Sequence, residues 1–476
     1  MTHADTALTE HLPGLSADLA AYAADFNLAD VPPDVQSRAA HLMLDALGIG
    51  LASTGYDYAH RTFAAMQELA GGALAHDPAG VPVIGMAAKL PMRDAAIVNA
   101  VMIHGLDYDD THPSGVIHAT ASVLPAALSV GAAHDASGAD VLGAYILGAE
   151  IAIRIASAAR GGFHQVGFHP TGLIGAFGCT FAAGHLMKLN AHQLRDAQGI
   201  VLSMASGSLE FLQDGAWTKR LHPGWAAHAG ITAATLAKHG FVGTRAAYEG
   251  RFGLFASHLG ELNAKTDLSL VTAGLGEVWE TLNVAVKPIP ACHFVHACAD
   301  ASGALHAEIG HTEIVSVVAK VPEGTMKIVC EPDDKKKRPA NAYEAQFSIP
   351  YAVATGLLKG RFSLDALEES AYTDAATLAL ARRVTCEADP QAEFPRFYSG
   401  DVTVELADGR TLHHREHINR GAPGRPITDD DVRIKFHENA ARAVPRDRAQ
   451  AIEHAVLGIA SGRTRDLMRL LGERAT

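Results

Sequence analysis

No uncharged apolar run in this 476-residue chain reaches the roughly 18 residues that a membrane-spanning helix needs, and the longest candidate, 141–157, is interrupted by Glu150 and Arg154. The opening, MTHADTALTEHLPG, has no basic stretch and no apolar core of the kind that starts a secretory signal. Cysteines number five (Cys179, Cys292, Cys298, Cys330 and Cys386), an odd and scattered set without a CxxC pair. That usage argues against a disulfide framework and fits a reducing cytoplasm. Basic charge is also scarce: 39 Lys and Arg stand against 52 Asp and Glu, a formal net charge of −13. Such a chain has no electrostatic footprint for nucleic acid or for an anionic membrane, although a local cluster of cations can still hold a small anion. No Walker A loop, G-x-G-x-x-G fingerprint, G-x-S-x-G elbow or HExxH pair occurs, so nucleotide, serine-hydrolase and zinc-protease chemistry lose most of their support.

What the chain does have is apolar mass. Hydrophobic residues make up 48% and charged residues 19%, enough to bury a large core, and the length predicts two domains. Aromatics are only 6%, so the core is carried by aliphatic residues and by Ala-rich stretches such as WAAHAGITAATLA, which favour closely packed helices. Residues 34–52 place Ala39, Leu42, Leu44, Leu47 and Ile49 on a broad apolar face, and 92–106 repeat the pattern after Pro91. Ser137 with Asp140, and Asn190 with Gln193, are spaced as helix caps. No strand is predicted before residue 283. From there 312–321 alternates with β-branched residues, 325–330 reads as a second short run, and 400–415 reads as a hairpin turning at Asp408-Gly409. Helical patterns over 344–358 and 363–383 lie between them, and Thr428 with Asp431 caps a return to helix. The prediction is a mainly α protein: a large helical domain of residues 1–282 and 424–476, with a smaller α+β domain, 283–423, inserted. The charged run Asp333–Arg338 reads as a solvated loop.

Four segments carry residues of chemical interest. The densest is 104–118, HGLDYDDTHPSGVIH, between two apolar helices. Asp107, Asp109, Asp110 and Thr111 lie there beside His112 and His118. Carboxylates next to imidazoles offer a general acid/base pair in which the carboxylate fixes the tautomer. Asp caps with exposed histidines, or a metal site, share this composition, though no metal-binding motif accompanies it. The second segment, GGFHQVGFHPTG, sets His169 among glycines at the start of a helix, where an anion or a simple cap would fit equally. The third holds Lys219 and Arg220. The fourth, VKPIPACHFVHAC, holds Lys287 at the domain boundary, where cations would clamp an anion in an interdomain cleft. Cys292, His293, His296 and Cys298 are too close along the chain to close a tetrahedron around zinc.

Taken together, LDALGIGLA, DYDDTH with its following His, GFHPTG, WTKRLHPGWAAHAG, KPIPACHFVH and YEAQFSIPYAVA resemble the MmgE/PrpD family over nearly the whole chain. That family contains 2-methylcitrate dehydratase, cis-aconitate decarboxylase and iminodisuccinate epimerase. The resemblance implies a helical domain with an α+β lid, a homodimer, and no metal or organic cofactor. It implies that Asp107, Thr111, His118 and His169 are catalytic, with the histidines as acid/base pair, Asp107 orienting and Thr111 holding a hydroxyl or carboxylate. Lys219 and Lys287, with Cys292 and His293 nearby, would bind a small di- or tricarboxylate. Two positions depart from the decarboxylase members: Cys292 stands where they carry His, and Met326 where they place Tyr. All three activities pass through or near a carbanion beside a carboxylate, and each well-placed donor there is worth about 3–4 kcal/mol. The expected function is a cofactor-independent lyase of dehydratase type acting on a hydroxy di- or tricarboxylate such as a 2-methylcitrate-like acid. Epimerisation of an iminodisuccinate-like diacid and cis-aconitate-type decarboxylation are the alternatives, and a non-catalytic ligand-binding protein is the remaining class.

Overall fold

The computed structural model describes residues 14–71, 80–394, 396–422 and 424–473, so the opening segment that argues against a signal sequence lies almost wholly outside them. Through residue 271 the described chain is built mainly of helices. Helices Pro33–Ala52, Met92–His104, Ala119–Ala133, Gly138–Ala158, Gly175–Leu186 and Thr218–Lys238 pack against one another, and their small residues explain how closely. A Cβ on Gly148 would lie 2.5 Å from the Gly178 carbonyl oxygen, and one on Gly178 would lie 2.6 Å from that of Gly148. Glycine at both positions lets these two helices cross backbone to backbone. Both expected capping boxes are present, at Ser137–Asp140 and Asn190–Gln193.

Helix Gly138–Ala158 is long and apolar enough to cross a bilayer, yet it lies buried among the other helices. The two charges that interrupt it hold the next part of the chain. Glu150 accepts from Arg154 Nε at 2.9 Å, from the Glu280 amide at 2.9 Å, and from the amide and hydroxyl of Thr281 at 3.1 Å each. Arg154 in turn donates to the carbonyls of Ala273, Gly274 and Val278. A fully buried ion pair is tolerated because both carboxylate oxygens and all three guanidinium nitrogens find partners, and the result fixes segment 273–281 just before Lys287.

The sheet has strand order β4-β3-β5-β6, with β3 Ile314–Val321, β4 Val384–Ala388, β5 Gly400–Leu406 and β6 Thr411–Glu416. Strands β3 and β4 are parallel and joined through helices; β5 and β6 form the expected hairpin, with Gly409 at φ +87°. The alternation of β3 buries Val317, Ala319 and Val321 under helices His293–Ile309 and Ile349–Lys359. Three readings of the sequence need correction. Residues 325–330 are not a strand but a helical turn, Met326–Val329, because Pro322 and Gly324 end the extended chain first. Two short strands do occur before 283, β1 Val81–Pro82 and β2 Lys89–Leu90, each too brief to show a period. The charged run 333–338 is not a solvated loop but mostly the short helix Asp333–Lys337, whose half-buried Lys336 donates to the carbonyls of Ile328 and Phe347.

After the sheet the chain returns to the first helices. Helix Asp429–Ala440, capped by Thr428 as expected, packs on Pro33–Ala52. Its Phe436 lies over Gly48, and its Lys435 meets Asp45 at 2.7 Å. The Glu150 network predicts a clear stability cost: Glu150→Ala strands a buried guanidinium and two backbone amides, and should lower unfolding free energy by about 3–5 kcal/mol in urea denaturation.

Candidate active site

Segment 105–118 runs between two helices, and contacts from distant parts of the chain fix its course. Residues 111 and 285 exchange two backbone hydrogen bonds, Thr111 N to Ala285 O at 2.8 Å and Ala285 N to Thr111 O at 2.9 Å. This isolated bridge delivers Lys287, two residues on, to the same segment. Lys435 supports the segment from the other side, donating to the Tyr108 carbonyl at 2.9 Å with its ammonium 3.8 Å from the Tyr108 ring centroid. Gln346 donates to the carbonyls of Leu106 and Pro290, so the α+β part also reaches it.

At the centre lies Asp107, with φ of +50°, a left-handed conformation that Asp tolerates better than most residues. One of its oxygens, Oδ1, meets Lys219 Nζ at 2.6 Å and Lys287 Nζ at 3.0 Å. Lys287 also donates to the Asp107 carbonyl at 2.8 Å. Burial alone would raise this carboxyl; the two ammonium groups outweigh it and hold it well below the usual carboxylate range. The three charges sum to one positive unit, in a place almost closed to water.

Beside this group is a histidine cluster. His118 Nδ1 lies 2.7 Å from the Asp110 carbonyl and 3.3 Å from Asp109 Oδ2, both of which can only accept, so Nδ1 carries the proton. In the neutral form of such a ring Nε2 is bare, the form a general base needs. Thr111 Oγ1 is 3.1 Å from the same Nδ1. His104 Nδ1 donates to Asp109 Oδ2 at 2.8 Å, and burial pushes His104 down to about 4, so it is neutral near pH 7. His169 Nδ1 and His222 Nδ1 are 3.0 Å apart, one donating and the other accepting. Burial and neighbouring cations hold His169 well below its ordinary range, and burial pushes His222 to about 4. Ring centroids are 4.9 Å apart for His104–His118, 5.6 Å for His104–His169 and 6.1 Å for His118–His169. His118 and His169 each precede a helix, and the His118 amide donates to Thr171 Oγ1 at 3.1 Å.

Six of the eight residues read from the sequence thus gather in one place, with changes of role. Asp107 faces the lysines; the carboxylate that orients imidazoles is Asp109. His169 does not cap its helix but pairs with His222. Cys292 is buried, and burial together with Asp107 pushes its thiol to about 11, so it is no ready base at neutral pH. His293 lines a cavity of about 50 Å³ with Thr111, Tyr398 and Asn419 and lies within the field of Lys287, His118 and Asp107, so it borders the same centre. His112 is structural, bridging the Gly115 amide and Glu280. His104 and His222 were inconspicuous in sequence: each ends a segment whose other residues drew attention, and only the fold stacks them. Asp110, pushed up to about 8 by burial with Asp109 adding to it, is neutral near pH 7. His104, Asp109 and His118 could each offer one ligand atom to a metal, all within 4.8 Å of one another, and both histidines turn Nδ1 to Asp109 Oδ2. Both nitrogens, however, approach the same oxygen at hydrogen-bond distance, an arrangement for sharing protons rather than for surrounding an ion.

With this geometry in hand, the comparisons with known proteins can be placed. The MmgE/PrpD N-terminal domain pattern matches residues 17–267, and the MmgE/PrpD C-terminal domain pattern matches residues 289–459. A cis-aconitate decarboxylase-like protein, oryM, of Aspergillus oryzae is 27% identical over 94% of this chain and 94% of its own length. Human cis-aconitate decarboxylase is 27% identical over 88% of this chain and 86% of its own. The 2-methylcitrate dehydratase of Cupriavidus necator is 25% identical over 88% of each.

The Asp107 pairing makes a testable demand on stability. A carboxyl depressed by folding contributes stability that is complete above its unfolded value, about 3.9, and is lost as pH falls toward the folded one. Urea denaturation should therefore show Asp107→Asn less stable than the native protein at pH 7, with the gap constant down to about pH 5 and closing below about pH 4.

Proposed function

Because this chain belongs to the MmgE/PrpD family, we propose that it is a cofactor-independent lyase that removes water from a hydroxy di- or tricarboxylate such as a 2-methylcitrate-like acid. The observation that carries the reading is His118, whose Nδ1 proton is committed to Asp110 and Asp109, beside an Asp107–Lys219–Lys287 group with one uncompensated positive charge. In this mechanism a substrate carboxylate approaches Lys219 and Lys287. His118 Nε2 takes the proton from the adjacent carbon, and the electron pair passes into that carboxylate, where the ammonium groups offset the added charge. The β C–O bond then breaks, and the hydroxyl leaves as water with a proton from His169, which His222, only partly buried, replaces through the shared Nδ1 contact with one taken up from solvent. Thr111 and Asp109 fix the position and tautomer of His118.

Residues 283–423 act in this proposal as a lid over the helical domain of 1–282 and 424–476, excluding water as it closes. The observation in favour is that Gln346 and Lys287 reach the 105–118 segment from the α+β side. A homodimer is also part of the proposal. Trp217, Leu221 and Trp225, exposed at successive i, i+4 positions along the helix of Lys219, offer the apolar face a second copy would cover.

Decarboxylation is the second reading, supported by the names of the decarboxylase relatives. The lysines and His118 would serve it equally, with CO₂ departing in place of the hydroxyl. Proton NMR with 2-methylcitrate, citrate, malate and cis-aconitate separates the two. Vinyl signals with the carbon skeleton retained support dehydration; itaconate from cis-aconitate would replace it with decarboxylation; inversion at the α-carbon without an alkene would replace it with epimerisation. On whichever acid turns over, His118→Ala and His169→Ala should each lower kcat by about 10²–10⁴-fold with little change in KM.

A further inference from the structure

Arg220 follows Lys219 on the same helix turn but faces a different set of groups. Its guanidinium carbon lies 4.7 Å from the ring centroid of Tyr58, 5.8 Å from that of Tyr343 and 5.9 Å from that of Trp217. Three aromatic faces from separate parts of the chain thus box one cation, Tyr343 coming from the α+β part. Nε donates to the Gly105 carbonyl at 2.8 Å, two residues before Asp107. Among the described residues no carboxylate pairs with Arg220, and its two terminal nitrogens have no hydrogen-bond partner. Tyr343 presents a second unmet group: its hydroxyl is buried without a partner. Its ring packs on Phe347 at 4.8 Å, and Phe347 lies 5.9 Å from Lys219 Nζ. The phenol lies within the field of Asp107, Cys292 and Arg220, so it borders the centre already described.

Charge shows what these groups are for. Lys219 and Lys287 share one carboxylate and keep a single positive unit between them, enough for one substrate carboxylate. A second or third carboxylate in the same enclosed space needs another cation, and Arg220 borders the centre with no acid paired to it among the described residues. A planar fork held by flanking rings is suited to bidentate carboxylate capture. A buried phenol without an acceptor loses a hydrogen bond until a ligand oxygen supplies one.

We infer that Arg220 and the Tyr343 hydroxyl form a second anion subsite, which takes a distal carboxylate of the substrate while the Lys219–Lys287 pair takes the reacting one. This rests on the proposed function and deepens it: Arg220 and Tyr343 select acids with a distal carboxylate over monocarboxylates.

Titration calorimetry with cis-aconitate and with crotonate, three carboxylates against one, tests the subsite. The native protein should prefer cis-aconitate. Arg220→Gln should weaken cis-aconitate by about tenfold to a hundredfold and erase most of that preference. Tyr343→Phe should weaken it by about three- to tenfold, and Arg220→Lys, which keeps charge without the fork, should fall between. Lys219→Gln should weaken both acids. Native affinity and preference in Arg220→Gln and Tyr343→Phe, with binding lost in Lys219→Gln, would overturn the subsite while leaving the proposed function standing. Binding of neither acid by the native protein would overturn both. If loss of the aromatic box unfolds Arg220→Gln, Tyr343→Phe and Arg220→Lys decide: unchanged affinity in both rejects the proposal.

Discussion

Two ammonium groups and one carboxylate oxygen meet at Asp107, and the rest of the arrangement follows from the need to hold them there. A lysine buried alone would lose its proton or draw in water; a carboxylate buried alone would take one up. Together, at 2.6 and 3.0 Å, the two ammonium groups share one carboxylate oxygen and leave one positive charge in excess. The three residues are remote in sequence, so their meeting ties the 105–118 segment, the start of helix Thr218–Lys238 and the connector before helix His293–Ile309 into one body. Lys435, from the last part of the chain, supports the same segment from beneath through Tyr108 and Asp45.

The histidines obey a complementary rule. Beside so much fixed positive charge, and without water, a protonated imidazole is expensive, which is why His104, His169 and His222 are driven down. Neutral rings can only exchange protons along their hydrogen bonds, and those bonds assign the tautomers. Asp109 and the Asp110 carbonyl claim the Nδ1 proton of His118, exposing a bare nitrogen; His169 and His222 share a proton between them. In the proposed mechanism, base and acid functions thereby separate between His118 and the His169–His222 pair. This is the physical content common to dehydration and decarboxylation in such a site: charge is met by lysine, and protons are moved by histidine.

Much of this was legible in the sequence, and the exceptions have a common cause. Capping boxes at 137, 190 and 428, the hairpin at 408–409 and the helical first half are local features, encoded in adjacent residues. The short β1–β2 pair, the turn at Met326 and strand β4 depend on distant partners and left no period to read. The same division holds within the site. DYDDT and KPIPACHFVH marked the right segments, but spacing alone could not show that Asp107 turns toward lysines while Asp109 turns toward imidazoles, because that depends on a left-handed residue at 107. His222 and Tyr343 were hidden for the same reason: each matters through a partner more than 50 residues or a whole domain pattern away.

The central claim is that the Asp107–Lys219–Lys287 group receives the reacting carboxylate with His118 over the adjacent carbon. A crystal structure of the His169→Ala variant soaked with cis-aconitate tests it most directly. The account predicts a carboxylate within about 3 Å of both Lys219 Nζ and Lys287 Nζ, with His118 Nε2 facing the neighbouring carbon. A ligand bound elsewhere, or one whose carboxylates avoid both lysines, would contradict it.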